Sequence, residues 1–221
     1  MTEQKLVFPI EKGKITAGYK NSFYKDKFGY HHYGVDITST VGNRKVYALG
    51  DGVVIAAGLD GKNGANSGLG YITVIKYPGC VSNVDKISRD LIVTTFHHVE
   101  GSIRVKAGDT VTSSTVIADY GNTGGMTTGN HLHLQIDSDT EYPLYCYGIS
   151  GATSKILKKG TVDSTWNPIE YLWCSGTRYP LEVFPGWAET DWFYLPYKYD
   201  EANDVLDRII KVLKDGGYIG N

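Results

Sequence analysis

His131-Leu132-His133-Leu134-Gln135-Ile136 alternates polar and apolar side chains at every step. Successive side chains of a β-strand point to opposite faces, so this stretch predicts a strand whose Leu132, Leu134 and Ile136 enter a core. His131, His133 and Gln135 then share the other face, with the two imidazoles roughly 7 Å apart at about 3.3 Å rise per residue. That separation suits one metal ligand beside one proton-transfer group better than two ligands on one ion. Taken alone, the stretch reads equally well as a polar strand face exposed to water.

Upstream the same β character recurs. Val53 to Ala57, Tyr71 to Tyr77, Leu91 to Phe96 and Val116 to Tyr120 are short apolar, β-branched runs punctuated by glycine. Helical periodicity is absent from this region. The glycine-rich stretches Gly61 to Gly70 and Gly121 to Gly129 predict loops, which often line a groove. From Trp166 to Tyr199 the composition shifts: all four tryptophans fall here, with Pro168, Pro180, Pro185 and Pro196. Such aromatic content is foreign to a disordered linker and predicts an irregular segment wrapping the β body, with a carbohydrate-binding face as the rarer reading. Val205, Leu206, Ile209, Ile210 and Leu213 are helically spaced, which predicts a helix within Asp200 to Asp215, stopped by Gly216 and Gly217. The expected fold is therefore mainly β with an aromatic-rich C-terminal extension ending in a helix.

The chain has 221 residues and a formal net charge of −2, with no basic block, so nucleic acid is not an expected partner. No apolar stretch reaches membrane-spanning length and no cleavable signal peptide is visible. Cys80, Cys146 and Cys174 are odd in number and lack a C-x-x-C pair, which fits neither a disulfide scaffold nor a thiolate zinc site. Buried or incidental thiols are the expectation, with one disulfide and a spare thiol as the alternative.

All six histidines fall in three pairs: His31 and His32, His97 and His98, His131 and His133. Asp36 follows His32 by four positions. On a straight strand the two would be roughly 13 Å apart, so Gly34 is needed to bend the chain and bring them to one point. Alone, His32 reads as easily as a solvated surface residue, and a histidine at the strand end Phe96-His97-His98-Val99 reads as ligand, acid, base or merely exposed. Together the pairs say more. Two histidines and one carboxylate are a normal ligand set for catalytic zinc, with a fourth position left for water or substrate. His32, Asp36 and His133 supply that set, and His98 and His131 remain for proton transfer and charge stabilisation.

At this point the chain resembles the lysostaphin-type zinc endopeptidases. The resemblance rests on His32-Tyr33-Gly34-Val35-Asp36, Phe96-His97-His98-Val99, and Gly121-Asn122-Thr123-Gly124 through His131-Leu132-His133. Spacer segments such as Ala48-Leu49-Gly50-Asp51-Gly52-Val53-Val54 and Val105-Lys106-Ala107-Gly108-Asp109-Thr110-Val111 add to it, and it runs from Phe8 to Leu172. It implies an antiparallel β-sheet metallopeptidase domain with a groove flanked by loops, placed at residues 8–175, with the extension at 176–221. It implies one zinc ion per chain on His32, Asp36 and His133, with His98 and His131 catalytic, whereas His31 and His97 are not required by the motif. The implied activity is hydrolysis of peptide bonds in bacterial peptidoglycan, in stem peptides or cross-bridges. The protein is then expected outside the cell, in the wall or associated with a phage, as a monomer whose partners are wall peptides. Asn130 stands where the family commonly has proline, and Asn83 to Arg89 and Ser138 to Val162 read as insertions that reshape the groove. The rival is a non-catalytic module on the same fold that binds wall peptides or activates another hydrolase. A biotinyl- or lipoyl-type carrier, suggested by Ala48 to Gly58 and Val105 to Ala118, lacks a lysine in the required turn and leaves the histidines unexplained.

Overall fold

The computed structural model describes residues 2–60, 65, 68–144 and 162–183, the last two by backbone alone, together with the backbone of Tyr197–Lys198. Its strands are β1 (Leu6–Val7), β2 (Gly13–Ala17), β3 (Val35–Ser39), β4 (Lys45–Tyr47), β5 (Gly52–Asp60), β6 (Gly70–Val81), β7 (Ser88–His98), β8 (Thr110–Val111), β9 (Val116–Asp119), β10 (Leu132–Asp137), β11 (Thr165–Trp166), β12 (Leu172–Cys174), β13 (Pro180–Val183) and β14 (Tyr197–Lys198). The main sheet runs β13-β2-β3-β10-β7-β6-β5-β8, with β11 also beside β10. Its pairings are antiparallel except that of β13 with β2. Two small sheets, β1-β12-β14 and β4-β9, pack around it. The chain adopts the mainly β architecture expected from the short apolar runs and the antiparallel sheet that the resemblance implies.

Alternation divides the two faces of the sheet. Leu132, Leu134 and Ile136 of β10 are fully buried in one cluster with Ile15, Val35, Ile37, Leu91 and Val93. Burial of that kind contributes about 1.5–3 kcal/mol per large aliphatic side chain. On β7, Ile92 and Phe96 have the opposite parity to Leu91 and Val93, and they join Ala56, Leu69, Ile72 and Val74 in a second cluster. The antiparallel register places Leu132 opposite Ile37 and Leu134 opposite Val35, which leaves His133 opposite Asp36 on β3 and opposite Phe96 on β7. Central strands thus carry the polar residues of the site as a by-product of burying their apolar neighbours.

Loops build the groove over that second face. A short helix, α1 (Ser22–Phe28), forms one wall. The expectation of no helix in the first two-thirds of the chain is corrected here. Asn21 Oδ1 accepts from Tyr24 N–H at 3.1 Å, Gly29 closes the other end at φ +79°, and no residue of α1 is buried. A seven-residue helix without a buried stripe leaves no periodicity to read; its caps were the available signal.

Both expected insertions meet the body at described residues. Asn83 Nδ2 donates to Ile169 O and Leu172 O, docking the β6–β7 hairpin on the segment between β11 and β12. Asp137 holds the neck of the second: its Oδ1 accepts from Leu144 N–H at 2.9 Å and Ser164 Oγ at 2.8 Å. Gln135 Nε2 ties the same neck to Asp137 Oδ2 and Leu144 O, each at 2.7 Å. Burial pushes the Asp137 carboxyl above its usual range despite these donors. Gln135 and Leu144 consequently line the groove in fixed positions.

Trp166 and Trp173 pack at the core edge and in a buried strand; Trp187, Trp192 and the helix expected within 200–215 lie outside the described residues. Residues 180–183, assigned to the extension by the expected boundary at 175, form the β13 edge of the main sheet. Cys80 and Cys174 are buried, and Cys146 lies outside the described residues.

Candidate metal centre

Three donor atoms converge on the groove floor. His32 Nε2 lies 3.1 Å from Asp36 Oδ1 and 3.0 Å from His133 Nδ1, and His133 Nδ1 lies 3.1 Å from Asp36 Oδ1. His32 precedes β3, and the chain bends at Gly34. Gly34 is required for a second reason as well. A Cβ there would collide with Leu134 O and stand 2.5 Å from His133 Nε2, so only glycine lets this segment lie against β10. Aromatic faces fix the imidazoles: Tyr24 stacks on His32 at 4.4 Å between centroids and Phe96 on His133 at 4.0 Å.

Protonation decides what the triangle can hold. His32 Nδ1 donates to Gly18 O at 2.8 Å, which leaves a lone pair on Nε2. Burial alone pulls the His32 pKa down, but the Asp36 charge and hydrogen bond more than offset it, for a net rise. Burial pushes Asp36 up, and the neighbouring histidines outweigh it and hold the carboxylate well below its usual range. Burial dominates at His133 and lowers it to about 4. With both imidazoles neutral, two lone pairs and a carboxylate converge on one point, and a cation there satisfies all three. A tetrahedral zinc with bonds of about 2.0–2.1 Å separates its ligand atoms by about 3.3 Å, close to the spacings here. His32, Asp36 and His133 also form the one group of His, Cys, Asp and Glu among the described residues with metal-binding proximity. The residues fit the ion that the resemblance implies.

His131 stands beside the triangle. Its Nδ1 donates to Gly129 O at 2.8 Å, so Nε2 is the free acceptor, 3.6 Å from Asp36 Oδ1. The third pair differs from expectation. His98, expected to be catalytic, is fully buried, and its Nε2 meets Thr95 Oγ1 at 3.0 Å, which in turn contacts Thr73 Oγ1. His97 lines the groove instead, with its ring 4.8 Å from that of His131. The cause is a register shift: Phe96 pairs with Ile72 and His98 with Tyr71, so His97 is the extra residue, at φ +70°. Its Nδ1 donates to Thr123 O at 2.6 Å. Burial, then His131 and His133, lower His97 to about 3; burial, then His97, does the same for His98. Sequence reading missed His97 because adjacent histidines give no sign of which strand face each will take.

The whole groove has a volume of about 1280 Å³. Beyond the histidines its walls include Tyr24, Tyr30, Asp60, Leu69, Gln135 and Leu144.

The sequence profile of peptidase family M23 matches residues 30–143, just over half of the chain, which includes Asp36 and all six histidines. The chain belongs to peptidase family M23. No curated protein matches it. Among solved structures, a zinc-containing peptidase from Vibrio cholerae is 27% identical, with a TM-score of 0.45 over 61% of this chain and 37% of its own. The catalytic domain of the prophage-encoded M23 protein EnpA from Enterococcus faecalis is 22% identical, with a TM-score of 0.42 over 57% of this chain and 82% of its own. Lysostaphin from Staphylococcus simulans is 20% identical, with a TM-score of 0.45 over 75% of this chain and 52% of its own. The M23 chain described here thus spans 37% of the length of the Vibrio peptidase.

Proposed function

We propose that this M23 chain is a zinc-dependent endopeptidase that hydrolyses peptide bonds of bacterial peptidoglycan. The observation that carries the reading is the triangle of three acceptor atoms 3.0–3.1 Å apart, set in an open groove with His131 beside it. Zinc at such a site acidifies water and polarises a carbonyl. His131 Nε2 takes the proton of the attacking water and returns it to the leaving amine. Its Nδ1 tether to Gly129 O fixes the tautomer that this requires. His97, tethered through Thr123 O, lines the same groove beside His131 and orients the water. Its low pKa keeps it neutral, so it acts as an acceptor. With such a substrate, the location that goes with this reading is the wall, outside the cell or with a phage.

Purified protein is expected to hold one zinc per chain and to release soluble fragments from peptidoglycan, identified by mass spectrometry, with both lost on chelation. Asp36→Ala and His133→Ala should lose metal and activity together, because two remaining ligands hold zinc poorly. His131→Ala should keep its zinc and lose about 10²–10⁴-fold in turnover. Zinc-loaded protein that binds wall peptides without cutting them would establish the module reading instead.

A further inference from the structure

We infer that Asp60 forms an anionic subsite of the groove, one that binds a free ammonium group on the peptide; this rests on the endopeptidase reading above. Asp60 ends β5 and is 3% exposed. Its Oδ2 accepts from Leu69 N–H at 3.0 Å, which already completes the turn. Its Oδ1 is buried without a hydrogen-bond partner, and the residue lines the same groove as His131 and His133. A buried carboxylate oxygen without a donor is costly unless a ligand supplies one.

Position adds to the chemistry. The wall carrying Asp60 is tied to the loop that holds His97. Gly125 N–H donates to Gly68 O at 2.9 Å and Tyr71 N–H to Thr123 Oγ1 at 3.0 Å, while Thr123 O accepts from His97. Gly70, at φ +75°, makes the close approach possible, since a Cβ there would stand 2.5 Å from Thr123 Oγ1. Asp60 therefore sits on the His97 side of the groove, on a wall braced by hydrogen bonds.

Among the described groove residues the carboxylates are Asp36 and Asp60, and Asp36 is engaged by His32 and His133. Asp60 is the negative charge left for a ligand. One acceptor oxygen without a donor matches an N–H group, whereas a metal ion needs several ligands, and no such cluster surrounds Asp60 among the described residues. In wall peptides the fitting cation is an ammonium, from the side chain of a diamino acid in a stem or from the amino terminus of a cross-bridge.

The test uses the zinc-loaded full chain and soluble peptidoglycan fragments, native or with their amines acetylated, followed by calorimetric titration beside a cleavage assay. One fragment set carries only stem side-chain amines and the other only cross-bridge terminal amines, which separates the two sources. Wild-type protein should bind one native set about tenfold or more tighter than its acetylated form. Asp60→Asn, which keeps the acceptor for Leu69 N–H, should lose that discrimination with zinc content unchanged. Equal binding of native and acetylated fragments by wild-type protein overturns the subsite, and this arm needs no variant. So does discrimination that persists in Asp60→Asn, or absence of binding to either set. Discriminating binding without cleavage sinks the endopeptidase reading and leaves the subsite standing.

Discussion

His97 and His98 show how one backbone dihedral decides which of two neighbours enters the groove. A φ of +70° is uncommon for a residue with a Cβ, and it reverses the facing of everything after Phe96 on β7. The imidazole that spacing selects, His98, turns to the core and hydrogen-bonds Thr95; the one that spacing passes over, His97, enters the groove. His97→Ala is therefore expected to lower turnover about 10²-fold or more with metal retained. His98→Ala should act on stability instead, costing about 1–3 kcal/mol by leaving Thr95 and a buried void, with near-normal turnover in the folded fraction. Turnover, zinc content and thermal midpoints of both variants distinguish the cases, and an inactive but stable His98→Ala would return the role to His98. His32, Asp36 and His133 were legible because a metal needs a fixed donor set at one point. The facing of two adjacent histidines was not, because a bulge is set by pairing with β6.

At the scale of elements, the β6–β7 hairpin carries its own electrostatic clasp. Arg89 donates from Nη1 to Asp85 Oδ1 at 3.1 Å and from Nη2 to Asp85 Oδ2 at 2.7 Å, and Nη1 also reaches Tyr171 Oη. The Arg89 hydrogen bonds outweigh the small burial cost and lower the Asp85 pKa to about 2. The folded value lies below the unfolded value of about 3.9. The pair therefore stabilises fully above about pH 4 and loses its contribution as pH falls through 2. Partial exposure, 22% and 32% for the two side chains, limits the gain to about 0.5 kcal/mol. Asp85→Asn should lower the urea midpoint slightly at pH 7, and the difference from wild type should shrink by pH 3. A difference that is constant with pH would assign the effect to packing. The runs that became β5, β6, β7 and β9 were readable as short apolar, β-branched stretches between glycines, whereas α1, lacking a buried face, was not.

Across the whole molecule, Arg178 joins segments that are distant in sequence. Its guanidinium donates to Phe8 O at 2.5 Å, Val7 O at 3.1 Å and Ala48 O at 3.0 Å, as well as to Ser113 O, and it lies over the ring of Tyr47. Burial lowers its pKa only to about 10, so it stays charged at neutral pH. Arg178→Met is expected to cost about 2–3 kcal/mol by stranding these carbonyls, which chemical denaturation measures, while zinc content in the folded protein stays unchanged. Nothing in the residues around Arg178 announced that role, since its partners are backbone atoms that any sequence would supply. The sequence by itself determined the β class, through short apolar, β-branched runs between glycines and the alternation at 131–136. It also pointed to His32, Asp36 and His133, through residue types that together make a metal ligand set, and these are the three that converge in the fold. Only the tertiary structure decided which of His97 and His98 faces the groove, that Asp60 keeps an unpartnered oxygen beside it, and how Arg178 closes the fold. Those outcomes depend on register, bulges and the packing of loops against one another, which are set by partners far away in the chain.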